Sequence, residues 1–387
     1  MNAVPSAFPG TRTRLRAARW ATRIQFAAMG FVGGIWGVHI PTAKAHYDLS
    51  ERGLSFALLA AAAGAVTCLV FAGRLVSAFG ARAVALVAGL VLCAALGVII
   101  IPDSLLALPL LMFGFGGAMG LMDVSVNAEG SVLEAHSGKK VMSGFHAMFS
   151  AGGMAGAAAG SMLIAAGVAP ELQLAGLGAV LAAIVAMAST FMLPVHPSNP
   201  EHESGYRLPR GLLAVLGLLA ALGLVAEGAM YDWSVLYMQT QTAAAPALAA
   251  LGFASFSAAM AATRFAGDWL RTHVSAPRLL GGSALLAAVA MAVVLLVHDP
   301  IVALVGFALV GVGFANMVPI LFVAATKAPG VSPATAIAAV SSMGYLGFVA
   351  GPPLIGGLAH ASSLSWALGV VVIAALLLAW GARRLPE

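Results

Sequence analysis

Ala226-Glu227-Gly228-Ala229-Met230-Tyr231-Asp232-Trp233-Ser234 lies inside an apolar segment that otherwise runs from about Gly211 to Met238. A carboxylate near the centre of a bilayer costs about 2.5–3.5 kcal/mol on insertion scales. A chain that keeps one there faces it into a helix bundle or a water-filled cavity. The segment therefore reads as a membrane-spanning helix, and Glu227 as a group with a task.

The rest of the chain has the same texture. Hydrophobic residues make up 61% of the 387 positions and charged residues 9%, against about 25% charged in soluble domains. Apolar runs of about 20 residues alternate with short polar breaks, the pattern of a polytopic helical membrane protein. Twelve spans are expected, near residues 20–43, 53–79, 82–101, 105–132, 141–166, 170–193, 211–239, 246–270, 278–298, 301–326, 332–359 and 364–383. The basic cluster Arg12, Arg14, Arg16, Arg19 and Arg23 precedes the first run. No small-residue cleavage site follows a short apolar core, so a retained first helix is expected.

Counting loops alternately, 17 of the 19 basic residues fall on one side, and only Lys44 and Arg52 on the other. The positive-inside rule makes that side cytoplasmic and places both termini there. This distribution explains the net charge of +5 by topology, and no nucleic-acid partner is expected. Cys68 and Cys93 sit in apolar runs, so neither a disulfide nor a metal site is expected, and no cofactor motif is present.

Pro194 to Arg210 is the longest polar interruption and is rich in proline and charge. It divides the chain into residues 1–193, a cytoplasmic linker over 194–210, and residues 211–387. The two parts show weak self-similarity. Ile35-Trp36-Gly37 matches Asp232-Trp233-Ser234, and Phe71-Ala72-Gly73 matches Phe265-Ala266-Gly267. Gly114-Phe115-Gly116 matches Gly311-Val312-Gly313, and Met148, Gly152 and Gly156 match Met343, Gly347 and Gly351. The offsets run from 194 to 197 and argue for a duplication. On the Trp36–Trp233 match, Gly30 is the counterpart of Glu227. The expected fold is all-α, with twelve transmembrane helices in two pseudo-symmetric six-helix halves and the solute site between them.

Two six-span halves, a long central loop and glycine-rich fifth and eleventh spans resemble the major facilitator superfamily. More narrowly, Glu227-Gly228-Ala229-Met230-Tyr231-Asp232-Trp233-Ser234, Met122-Asp123-Val124-Ser125-Val126-Asn127-Ala128, Ser143-Gly144-Phe145-His146 and Gly344-Tyr345-Leu346-Gly347-Phe348-Val349-Ala350-Gly351-Pro352-Pro353 resemble the MosC/YbjJ-like bacterial group. The resemblance implies a secondary transporter in a bacterial inner membrane. It does not fix a solute. The superfamily's loop between spans two and three usually carries an aspartate and an arginine. Here Gly73-Arg74-Leu75-Val76-Ser77-Ala78-Phe79-Gly80-Ala81-Arg82 keeps the glycines and Arg82 but has Ser77 and Ala78 at those places. The usual gate ion pair cannot be carried over. Arg264 and Asp268, spaced i,i+4, offer a charge clamp at the cytoplasmic end instead.

Few ionisable groups fall inside spans. Tyr231 shares a helical face with Glu227 and is within hydrogen-bonding reach. A lone carboxyl in low dielectric holds its proton more tightly than in water, which suits Glu227 to proton coupling; substrate contact and a purely structural bond are the alternatives. Asp232 points elsewhere, toward Trp233 or a loop. Asp123 and Asn127 are spaced i,i+4 in the fourth span, and His146 enters the fifth at a similar depth. The three form a second candidate proton relay or gate latch, or simply a cluster tying two helices. Glu129 is expected to reach the headgroups. Asn316 near the middle of the tenth span, Trp36 and Trp233 on the periplasmic side, Tyr231, Asn127 and Gln25 are candidate solute contacts, and Gln25 with His39 extends the first span's polar face. Gly351 and Pro352 make the eleventh span a candidate gate, and Gly73, Arg74 and Arg82 between spans two and three are gate candidates as well.

No nucleophile, zinc-ligand or nucleotide-binding pattern is present, so an enzyme is not expected. The expected function is proton-coupled transport of a small polar, sugar-like solute by a monomer in the bilayer. A drug or metabolite exporter of the same fold, and a non-transporting sensor or assembly factor, remain alternatives.

Overall fold

The computed structural model describes residues 11–137, 141–194, 210–329, 331 and 333–385. Among them the chain is a succession of helices. The first half contains α1 (Thr11–His46), α2 (Glu51–Phe79), α3 (Ala81–Val98), α4 (Ala107–Ser137), α5 (Met142–Ala165) and α6 (Pro170–Phe191). The second contains α7 (Leu212–Gln241), α8 (Pro246–Phe265), α9 (Gly267–His273), α10 (Ala276–Val297), α11 (Pro300–Phe314), α12 (Met317–Ala325), α13 (Pro333–Ala361) and α14 (Leu364–Gly381). Among the described residues twelve segments are long and apolar enough to cross a membrane, with α11 and α12 forming the tenth together. The linker expected over 194–210 falls mostly on residues outside those described.

Alternation of the spans defines two faces. Both ends of the described residues lie on one, called here the termini face. On the far face, five of the six returning spans start on a defined signal. Ser50 Oγ accepts from the Gly53 N–H at 3.1 Å and caps α2. Asp299 Oδ1 accepts from Ile301 and Val302 and caps α11, which begins with Pro300. Ser363 caps α14, and proline opens α6 and α8. A side-chain acceptor or a proline at these positions removes helix-end N–H groups that would otherwise lack partners. Outward-facing leucines such as Leu106 and Leu296, each 80% exposed, make an apolar surface that lipid must cover. Trp20 with Arg23, and Trp380 with Arg384, form cation–π pairs at 4.7 and 4.3 Å near the termini face, where amphipathic rings settle at the headgroups.

Close glycine contacts fix the register between the halves. A Cβ on Gly152 of α5 would strike the Ala27 carbonyl of α1, and one on Gly347 of α13 would strike the Ala221 carbonyl of α7. Likewise Gly116 of α4 abuts the Ala61 carbonyl of α2, and Gly311 of α11 abuts the Phe256 carbonyl of α8. These equivalent contacts relate the halves by an offset of 194 to 195. The Trp36–Trp233 and Gly114–Gly311 matches at 197 are therefore out of register. The counterpart of Glu227 is Gly33, not Gly30.

Two further departures lie in the second half. The eighth span ends at Phe265 and turns into the separate helix α9. The tenth span breaks at Ala315 and Asn316. Pro319 explains the second break, because it has no N–H to give the Ala315 carbonyl one turn earlier. In the first half, α2 passes to α3 through Gly80 alone, at φ +83°, a conformation glycine adopts without steric cost.

The halves meet through α2 with α13, α5 with α8, and α1 with α7 and α8. These contacts concentrate on the far side. Ser55 Oγ donates to the Pro352 carbonyl at 2.6 Å, and Ser161 Oγ donates to the Ala247 carbonyl at 2.7 Å. Gly37 of α1 presses on Phe253 of α8. Toward the termini face the halves separate. There α4 packs on α1, α2, α3 and α5, and α12 on α7, α10 and α13. Few contacts cross between the halves there, so the halves part toward the termini face and are held together at the far face.

Candidate functional site

Four side chains converge at the floor of the cavity that this parting leaves. Glu227 Oε1 accepts from the Tyr231 hydroxyl at 3.0 Å and from Arg264 Nη2 at 3.1 Å. Arg264 Nη1 donates to Ser150 Oγ at 2.8 Å. Glu227 and Arg264 are 8% and 14% exposed, so the pair is shielded but in contact with the cavity. Tyr231 is wedged between Phe253 and Phe256, with ring centroids 5.3 Å away in each case. Ser150 belongs to the first half and the other three to the second, so Arg264 ties the halves together.

The helices explain how these groups meet. Helix rise puts Glu227 about 21 Å, and Arg264 about 27 Å, from the far-face ends of α7 and α8. Side chains tilt toward the N-terminus of their helix. The two helices are antiparallel, so Glu227 leans toward the termini face and Arg264 back toward the centre. Arg264 Nε also reaches the Ala315 carbonyl at 3.4 Å, the one left without a helix partner by Pro319. A proline in one helix thus supplies an acceptor for a cation in another.

The i,i+4 spacing predicts Arg264 at the cytoplasmic end, clamped to Asp268. Its guanidinium instead serves Glu227, Ser150 and Ala315, and the Asp268 side chain lies outside the described residues. Glu227 is correspondingly not a lone carboxyl. Arg264 does lie in the last turn of α8, and its side chain reaches back along the helix to Glu227.

A second polar group lines the cavity from the first half. Asn127 Nδ2 donates to Asp123 Oδ1 at 3.0 Å and to the Asp123 carbonyl at 2.9 Å. His146 is exposed to the cavity and stands edge-on to Phe26 at 5.2 Å. It is within electrostatic reach of Arg264. Tyr345 of α13, 43% exposed, is within electrostatic reach of Asp123 across the opening. Asp123, Asn127 and His146 therefore line one cavity, although His146 shares no hydrogen bond with the other two among the described residues.

Other expected contacts lie elsewhere. Gln25 is fully buried, and its Nε2 donates to Val185 O at 3.1 Å and Ser189 Oγ at 2.8 Å of α6. It holds α1 to α6 and has no face to the cavity. His39 does the same through Gln173 at 3.1 Å. Trp233 is fully buried, and Trp36 packs on Phe115 at 6.0 Å. Asn316 is not within a continuous helix but at the break before α12, with Oδ1 against Gly267. Glu129 does not reach the headgroups. It is buried and accepts from the Leu193 N–H at 2.7 Å, pinning the end of α6 to α4. Of the gate candidates, Gly73, Arg74 and Arg82 sit at the α2–α3 junction on the termini face. Gly351 and Pro352 are buried in α13 beside the Ser55 contact.

Comparison with known proteins accords with this architecture. The family model for the Major Facilitator Superfamily matches residues 23–333. An uncharacterized MFS-type transporter of Yersinia pestis is 34% identical over 367 residues, covering 95% of each chain. The membrane protein MosC of Rhizobium meliloti is 30% identical over 364 residues, covering 93% of this chain and 88% of its own. Among solved structures, a point variant of the nucleoside transporter NupG superposes with a TM-score of 0.76 at 12% identity, over 97% of this chain and 100% of its own. A D-xylose–proton symporter does so with a TM-score of 0.76 at 15% identity, over 94% and 97%. At such identities the structures speak for the fold alone, whereas the family model and the two relatives span most of the chain. The chain belongs to the Major Facilitator Superfamily, and is a multi-pass membrane transporter rather than an enzyme.

Proposed function

We propose that the protein is a proton-coupled secondary transporter of a small polar solute, working by alternating access between its two six-helix halves. The observation that carries this reading is the Glu227–Tyr231–Arg264 cluster on the floor of a cavity open to one face. A carboxyl group at that place is reached by solute and water from one side only. Rocking the halves about it would change which side. Arg264 bonds to Ser150 in the other half, so opening the far face would strain or break a contact of the same cluster. Occupancy and conformation are then linked, as coupling requires.

In this reading Glu227 carries the proton, and Tyr231, Asn127, Asp123 and His146 contact the solute. Ser55, Ser161 and Pro352 close the far face. The bilayer is a bacterial inner membrane, and the termini face is cytoplasmic. With Arg264 inside the bundle, sixteen of the eighteen other basic residues still segregate to that side, as the positive-inside rule requires. The cavity then opens inward. The nucleoside and D-xylose transporters of the same fold are in keeping with a polar solute.

Proteoliposomes under an imposed pH gradient test the reading. The wild type should accumulate its solute when the outside is acidified. Glu227→Gln should still exchange solute across the membrane but lose accumulation. Gradient-driven accumulation that survives in Glu227→Gln would remove the coupling role.

A further inference from the structure

Arg264, in the last turn of α8, holds a positive charge between the two halves, and Glu227 neutralises it in a limited way. The contact uses one carboxylate oxygen, Oε1, which also serves Tyr231. Ion pairs of arginine with a carboxylate are strongest when two parallel N–H···O bonds form. A guanidinium has five N–H donors, and the bonds to Glu227, Ser150 and Ala315 occupy one on each nitrogen. Tyr231 is a further hydrogen-bond partner of the guanidinium, which leaves one N–H for a solute on a group that keeps 14% of its side-chain surface exposed. The His146 imidazole stands near on the same cavity. On α1, Gly33 occupies the register position of Glu227, and a Cβ there would meet nothing within 4 Å. Open space thus adjoins α1 one turn before Gly37, which abuts Phe253 and the Tyr231 carbonyl. Further along the wall, Asp123, Asn127 and Tyr345 offer acceptors and donors for hydroxyl groups.

Resting on the transport reading above, we propose that the transported solute is a hydroxylated organic monoanion. Its carboxylate docks on Arg264 beside His146, its hydroxyls reach Asp123 and Asn127, and Glu227 takes up one proton as the carboxylate arrives. The charge balance is simple. Before binding, Glu227 and Arg264 cancel. After binding, the solute carboxylate and Arg264 cancel, and the proton sits on a Glu227 oxygen. One anion and one proton enter together, and the cluster's net charge stays zero. A neutral sugar would leave the Arg264–Glu227 pair intact and would give Glu227 no reason to take a proton. The groups facing this exchange are Tyr231 on α7, His146 on α5, Asp123 on α4 and Tyr345 on α13. Asp232 lies one residue beyond Tyr231 on α7. Protonation of His146 would act in the same direction as that of Glu227, because both favour an anion.

The test is binding to the purified full-length protein, using D-gluconate and D-glucuronate as anions and D-sorbitol as the neutral control. A hydroxylated monocarboxylate should bind at least tenfold more tightly at pH 6 than at pH 8, with about one proton taken up per anion in weak buffer. Glu227→Gln, which imitates the protonated carboxyl, should bind that anion at least as tightly as the wild type at either pH, without proton uptake. The double variant Arg264→Gln/Glu227→Gln leaves no uncompensated charge and should remain folded but lose the anion. Sorbitol binding equal to gluconate, anion binding without proton uptake, loss of anion binding in Glu227→Gln, or no binding of either carboxylate would each overturn the proposal. A neutral polyol driven across by a pH gradient would overturn it while leaving the transport reading intact. An anion that binds with proton uptake yet never crosses would leave the anion site standing but overturn its transport, and with it the transport reading.

Discussion

The two halves share a backbone plan and differ in what they place at its centre. In the first half, α1 packs on α5 through Gly152, and in the second, α7 packs on α13 through Gly347, each glycine against a carbonyl of its partner. At the same register the chemistry diverges. Glu227 and Tyr231 correspond to Gly33 and Gly37, and Arg264 corresponds to Leu69. Asp123, Asn127 and His146 in the first half correspond to Val318, Phe322 and Ser341 in the second. Helix-packing positions are thus held in common, while each half carries a polar cluster that the other lacks. The second half is also the irregular one, with α8 and α9 separated and α11 and α12 broken at Asn316. That irregularity supports its polar cluster, because the freed Ala315 carbonyl holds Arg264.

The largest effect should come from breaking the asymmetric element. Glu227→Leu leaves Arg264 without its counter-charge, and removing one partner of a buried pair costs about 3–5 kcal/mol. Thermal unfolding in detergent should show a large drop. Replacing both, as Glu227→Leu/Arg264→Leu, should recover most of it. A double variant as unstable as the single one would mean that the pair contributes through contacts other than charge.

The symmetric element should break symmetrically. Gly152→Val and Gly347→Val each force a side chain against a neighbouring carbonyl, and overpacking of this kind costs about 1–3 kcal/mol. Similar losses from both are expected in the same unfolding assay. Tolerance at one site alone would show that one half relaxes more easily than the other.

Much of the fold was readable because a bilayer allows few solutions. Twelve apolar runs, the segregation of arginines and lysines, and the duplication all follow from burial of backbone and from charge. What escaped reading depends on the third dimension. Gly114-Phe115-Gly116 and Gly311-Val312-Gly313 align by letters at 197, but only the carbonyls of Ala61 and Phe256 reveal that Gly116 answers to Gly311. Gln25 and His39 looked like a polar face toward the solute. Their partners Ser189 and Gln173, on α6, are more than a hundred residues away and turn that face into packing. The Glu227–Tyr231 bond was legible from i,i+4 spacing. The Arg264 partnership was not, since the length given to the eighth span decided how deep Arg264 lay.

Smaller effects are expected where the halves touch. Ser55→Ala and Ser161→Ala each remove one hydrogen bond that closes the far face, worth about 0.5–1.5 kcal/mol. Neither should unfold the protein. Each should shift the balance toward a far-face-open state by up to about tenfold, since 1.4 kcal/mol is a factor of ten. Spin-label distances across the far face measure that population. An unchanged distribution in both variants would mean that Phe253 against Gly37, and not the two serines, keeps the face shut.

The smallest effect on stability should fall at the position that distinguishes the halves most plainly. Gly33 is the counterpart of Glu227, and a Cβ there meets nothing within 4 Å, whereas one on Gly37, a turn further along α1, runs into Phe253. Gly33→Ala should therefore leave the melting temperature unchanged or raise it slightly, because alanine is favoured over glycine in a helix by up to about 1 kcal/mol. Gly37→Ala should lower it. If the space beside Gly33 is where the solute rests, Gly33→Leu should keep the protein folded yet reduce uptake, since the larger side chain fills volume that no protein atom uses. Undiminished uptake in Gly33→Leu would place the solute away from the first half's wall and leave the second half to hold it alone.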